Sequence, residues 1–129
     1  MNRAPDIEIY VPNITAEQAE DWLQKEFSKC ELSNKKKGMP KNAHPISVEW
    51  NNLRVSGVVY EKVVPGFTSI WLNSDQLPWS SDQEFAQSAA KHFHCAVRFV
   101  NESWQQQQNP DAWNEINEQG EITDLIWKT

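Results

Sequence analysis

Glycine is scarce in this chain, with four residues among 129, which leaves little material for a phosphate-cradling loop. No P-loop, G-x-G-x-x-G, G-x-S-x-G or H-E-x-x-H pattern occurs, so the common nucleotide, hydrolase and zinc-protease signatures are excluded. Cysteine is limited to Cys30 and Cys95. Two cysteines without an export signal are expected to remain reduced thiols. Long apolar runs are also missing: Val63-Val64 and Cys95-Ala96-Val97 are typical of the longest, far below the ~20 residues of a membrane-spanning helix. Met1 to Asp6 carries one cation and no apolar stretch behind it, so no secretory signal is read and a cytoplasmic location is expected.

Positive charge is in deficit as well. The net charge of −6 argues against non-specific nucleic-acid binding, which needs cations to displace the counterions on phosphates. The imbalance sits at one end. From Asn101 onward Glu102, Asp111, Glu115, Glu118, Glu121 and Asp124 face Lys128 alone, while the residues before it are nearly balanced. Either a solvated face or an interaction surface accounts for this bias.

What is present reads as one domain spanning residues 1–129, long enough to bury roughly two-thirds of the unfolded chain's surface. Asp6 to Val11 alternates apolar and polar residues as a half-buried strand does. Thr15 and Gln18 form a capping-box pair opening a helix to about Cys30, with Ala19, Trp22, Leu23, Phe27 and Cys30 along one stripe. Ser33 to Pro45, with Lys35-Lys36-Lys37-Gly38, is expected to be a mobile loop. Ile46 to Trp50, Leu53 to Val64 and Phe67 to Leu72 form a meander, turned at Asn51-Asn52 and Pro65-Gly66, with Gly57 a candidate bulge. Ser81 and Glu84 open a second helix to about His94, followed by a strand from Cys95 to Val100. Ala112 to Asn117 and Glu121 to Trp127 suit a terminal hairpin around Gly120, although a short helix over Pro110 to Ile116 remains open. The order is β-α-β-β-β-α-β-β-β. It implies an α+β fold with an antiparallel or mixed sheet of about six strands, both helices on one face, and room for a ferredoxin-like core.

Few residues suggest chemistry. His92-Phe93-His94-Cys95 offers ligand types, yet a zinc site needs three or four convergent ligands, and histidines near a helix C-terminus are expected for dipole reasons alone. Pairs such as Asp75 with Asp82, or Asp111 with Glu115, occur by chance in any acidic chain. No catalytic residue, metal site or cofactor is therefore assigned. The seven tryptophans are more unusual. Trp22, Trp50 and Trp71 fit core positions, and Trp79 suits a staple before the second helix. Trp104, Trp113 and Trp127 lie among the acids, where rigid anchors beside steering charges would suit a basic partner.

The stretch Leu77-Pro78-Trp79-Ser80-Ser81-Asp82, the alanine-rich helix after it and Cys95 to Val100 resemble small bacterial α+β proteins. Trp113-Asn114-Glu115-Ile116, Gly120-Glu121-Ile122 and Ile126-Trp127 add to the likeness. Among such small acidic chains are immunity proteins of bacterial toxin systems. The resemblance implies a protein-binding module that neutralises a basic toxin domain; the net charge and the lack of long apolar runs lead to the expectation of no nucleic-acid or membrane partner. The expected partner-binding residues are Glu102, Trp104, Asp111, Trp113, Glu115, Glu118, Glu121 and Asp124. Two other readings stay open: a small enzyme or ligand-binding domain with a pocket between the sheet and the 33–45 loop, involving His44, and a homo-oligomer, such as a homodimer, paired through sheet edges.

Overall fold

A computed structural model describes residues 6–34, 37–100 and 111–128. Strand β1 (Ile7–Pro12) buries Ile7, Ile9 and Val11, as its alternation requires. Helix α1 (Ala16–Glu26) starts at the Thr15–Gln18 capping box, in which each side chain bonds the other's backbone N–H. The helix ends at Glu26, short of Cys30. Phe27 turns to extended backbone, and Lys29–Leu32 forms β2 at the sheet's edge, where Cys30 still points into the core. A period-2 arrangement of Cys30 and Leu32 thus replaces the last helical turn.

Strand β3 (Ala43–Trp50) begins within the expected loop, so residues 43–45 belong to the sheet. Asn51 and Asn52, both at positive φ, turn it into β4 (Leu53–Val64). Gly66 at φ +83° helps return the chain into β5 (Phe67–Leu72). The register shift in β4 lies between Tyr60 and Val64, around Lys62 at φ +52°, and not at Gly57. Gly57 answers a different need: a Cβ there would collide with the Trp71 carbonyl oxygen and lie 2.8 Å from Leu72 Cδ2.

Helix α2 (Asp82–Phe93) is capped by Ser81, which accepts from Glu84 N–H. The Glu84 carboxylate bonds the Ser80 hydroxyl, so this second box is only half made. His94 closes the helix in left-handed conformation. Strand β6 (Val97–Val100) and the hairpin β7 (Ala112–Ile116) and β8 (Ile122–Ile126) complete the chain, and the alternative helix over 110–116 is overturned by the β6–β7 and β7–β8 ladders.

Among the described residues all pairings are antiparallel, in one eight-stranded sheet ordered β2-β3-β4-β5-β1-β6-β7-β8. The fold is α+β as expected, but the sheet has eight strands among the described residues where about six were expected: all seven strands of the expected order join this one sheet, and the chain between α1 and the expected meander adds β2. Both helices lie side by side on one face: Trp22 of α1 stacks on Phe85 of α2 with centroids 5.5 Å apart, above Ile9, Val48, Val59 and Ile70. Among the described residues the opposite face carries no helix.

Candidate functional site

Two regions stand out from this frame, the terminal edge β8 and the helix-free face of the sheet.

At the β7–β8 hairpin, Asn117 N–H donates to the Glu121 carbonyl, and the Asn117 side chain accepts from Gln119 and Glu121 N–H. At its other end Trp127 N–H donates to the Asp111 carbonyl. In an antiparallel ladder the groups facing the partner alternate. Residues 121, 123, 125 and 127 therefore face β7, and the N–H and C=O groups of Ile122 and Ile126 face the open edge. These two isoleucines are 43% and 59% exposed, two of the three large apolar side chains so exposed among the described residues; the third, Leu53, stands apart at the β3–β4 turn.

The sequence-predicted residues are divided by this hairpin. Glu102 and Trp104 lie outside the described residues. Glu118 pairs with His94 Nδ1 at 2.9 Å, and Glu121 accepts from Asn117 Nδ2. Asp124, opposite Asn114, shares its sheet face with Ile122 and Ile126. Asp111 sits at the entry to β7. Trp113 and Glu115 belong to the opposite, helix-free face. There Trp113 is only 9% exposed and meets Tyr10 and Trp127 edge-on at 5.0 and 4.9 Å. Arg98 lies over the rings of Phe67 and Trp127, at 4.7 and 4.5 Å, and its Nε donates to Glu115 at 2.9 Å. Phe67 and Trp127 thus form an aromatic cage already filled by an arginine of the same chain, with Trp113 packed edge-on against Trp127.

Beside this cage the open face holds a cavity of about 530 Å³, bounded by Met39 and Pro40 and floored by Val58, Ser69 and Trp71. A second cavity of about 350 Å³ adjoins it and shares Met39, Val58 and Trp71. Three carboxylates line the larger one: Asp6, Glu8 and Asp82. Asp6 Oδ2 accepts from Trp71 Nε1 at 2.8 Å, and Asp82 Oδ1 accepts from Glu8 N–H at 3.0 Å. Burial, reinforced by Asp6, raises the Glu8 carboxyl above its ordinary pKa. Burial and the Glu8 charge push Tyr10 up to about 12. Trp71, expected in the core, instead faces this cavity, because its neighbours Ile70 and Leu72 take the buried phase of β5.

Of these residues, only the outward phase of Glu8 and Tyr10 is visible in the alternation of β1. The Asp6–Trp71 contact spans 65 residues of sequence and has no local signal. His44 does not line either cavity. Its Nε2 lies 2.6 Å from Glu61 Oε1, on the helix side, where Glu61 Oε2 also accepts from Ala16 N–H at the start of α1. The other histidines are packed or paired: His92 stacks 6.0 Å from Trp22, and burial, with Lys25 nearby, lowers its pKa. Both cysteines are free; burial pushes Cys30 up to about 12 and also raises Cys95, so neither is an activated nucleophile. Among the described residues no three His, Cys, Asp or Glu side chains are grouped so as to hold a metal. No helix among them is long and apolar enough to cross a membrane.

Comparison with known protein families, with characterised proteins and with solved structures finds no match in any of the three.

Proposed function

We propose that this chain is a protein-binding module, an immunity protein that neutralises a basic bacterial toxin domain through the outer edge of its β7–β8 hairpin. The observation that carries this reading is β8 itself. It is a terminal strand whose Ile122 and Ile126 expose both side chains and outward-facing backbone groups, with Glu118, Glu121 and Asp124 around them. Exposed apolar edge strands invite pairing with another chain, and proteins usually blunt them with lysine or proline. Here Glu118, Glu121 and Asp124 outnumber the one lysine beyond the strand, Lys128, so the strand added at this edge is one from a basic partner. A ferredoxin-like core belongs to the same proposal: β4, β5, β1 and β6 are neighbours in that order, with α2 linking β5 to β6 across β1.

Paired baits test the partner reading, one the unaltered protein and one carrying Ile122→Lys with Ile126→Lys. The expected result is a basic polypeptide recovered in equal amount on the first bait, lost on the second and released by added salt. Equal recovery on both baits, association indifferent to salt, or capture of no polypeptide overturns it. A mass in solution twice that of the chain would assign the edge to a second copy instead.

A second reading is favoured by a separate observation. The cavity between the helix-free face and Met39-Pro40 falls within the roughly 300–1,000 Å³ typical of small-molecule sites, which supports a ligand-binding role there.

A further inference from the structure

Among the described residues, the cavity on the helix-free face is lined by three acids and no lysine, arginine or histidine. We propose that it binds a small organic cation, an amine or amidine carried on an aromatic or aliphatic body. This rests on the second reading above and is independent of the edge-strand proposal.

The walls define the body of the ligand. Trp71, Tyr60, Val58, Val100 and Met39 present aromatic and aliphatic surface, enough to hold a ring or a short chain. The carboxylates define its charge, but not equally. Asp6 is engaged by the Trp71 indole and Asp82 by the Glu8 backbone. Glu8 shares the cavity with both, and its carboxylate has no hydrogen-bond or ion-pair partner among the described residues. A half-buried carboxylate next to another acid is held in an unfavourable ionised state, and a cation placed against it removes that penalty. An anionic ligand would add to the repulsion. A bare metal ion is disfavoured, since the three carboxylates are not grouped as ligands. The rings of Trp71 and Tyr60 add a face suited to a positive charge.

Ligands of one shape and different charge decide the matter. Titration of the labelled protein, followed by nuclear magnetic resonance, would use tryptamine, 3-methylindole and indole-3-propionate, together with phenethylamine and phenylpropionate. The expected result is saturable movement of the Trp71 indole N–H signal by the two amines at millimolar concentration, and none by the carboxylates. Glu8→Gln should weaken amine binding by about tenfold, the loss of one charge-assisted contact. Glu17→Gln, on the exposed side of α1, should leave it unchanged. Equal shifts from amines and carboxylates would overturn the cation inference while leaving the cavity a binding site. No shift from any compound would overturn both. Neither result bears on capture of a protein at β8.

Discussion

Trp22 has its indole N–H fully buried with no acceptor, the one such side-chain atom among the described residues. It lies within a ring cluster, stacked on Phe85 and tilted against Trp79 at 5.9 Å, where packing is gained and a hydrogen bond is not. An orphaned buried donor costs about 1–3 kcal/mol, whereas truncating a buried tryptophan to alanine costs about 3–5 kcal/mol. Trp22→Phe removes the donor and keeps most of the ring. It should cost less than about 1 kcal/mol in urea unfolding, against a loss of several for Trp22→Ala; similar losses would mean that the N–H is satisfied after all. Glu8 carries a penalty of another kind. Its folded pKa lies above the unfolded value, so ionisation weakens the native state at neutral pH. The penalty shrinks as pH falls through the folded pKa and is gone below the unfolded one. Glu8→Gln should therefore raise Tm at pH 7 by a few degrees, with the gain vanishing in acid. A gain that persists at low pH would show that the charge is not its source. Destabilising polar groups retained at a cavity are what a binding site requires and a purely structural face does not.

Strands β4 and β5 approach closely at Gly57, where any side chain would strike the Trp71 backbone. Gly57→Ala must part the two strands or bend one. Overpacking of this kind costs about 1–3 kcal/mol, and backbone as the obstacle places the expected loss near the upper end. Because Trp71 also floors the cavity, the same variant should shift its indole N–H resonance; a neutral effect on stability would mean that the ladder yields easily there. Element identity is largely legible in the residue pattern alone. Thr15 and Ser81 mark both helix starts, Asn51-Asn52 and Gly120 mark turns, and alternation marks β1 and the meander. The failures share a cause. Phe27 and Cys30 fit a helical stripe and a strand equally, since both residues are buried in either, and only pairing with β3 decides for β2. Residues 43–45 look like loop because His44 and Pro45 are poor strand formers, yet the β4 ladder holds them. Trp71 and Trp113 read as core and anchor by residue type, while their actual surroundings depend on β5 and β7 meeting partners distant in sequence.

Across the whole sheet, β1 is the hinge of the architecture: it joins the β2–β5 meander to the β6–β8 half, and it is paired on both sides and covered by α2. Protection from solvent should fall from this centre toward both edges, since opening a terminal strand exposes little buried surface. At β8 the fall should be uneven. Thr123 and Leu125 direct their N–H groups to β7, whereas those of Ile122 and Ile126 point away from the sheet. Amide hydrogen exchange read residue by residue should therefore show the two isoleucine amides exchanging at close to unprotected rates, with Thr123 and Leu125 slower by about tenfold or more, the factor that roughly 1.4 kcal/mol of opening free energy provides. If a partner adds a strand at this edge, as proposed, the same two isoleucine amides should gain the most protection, and β2 at the far edge should gain none. Protection of Ile122 and Ile126 in the isolated protein at high concentration only, lost on dilution, would identify the added strand as a second copy. Partner-induced protection confined to β2 or to the cavity floor would remove the edge strand from the interface altogether.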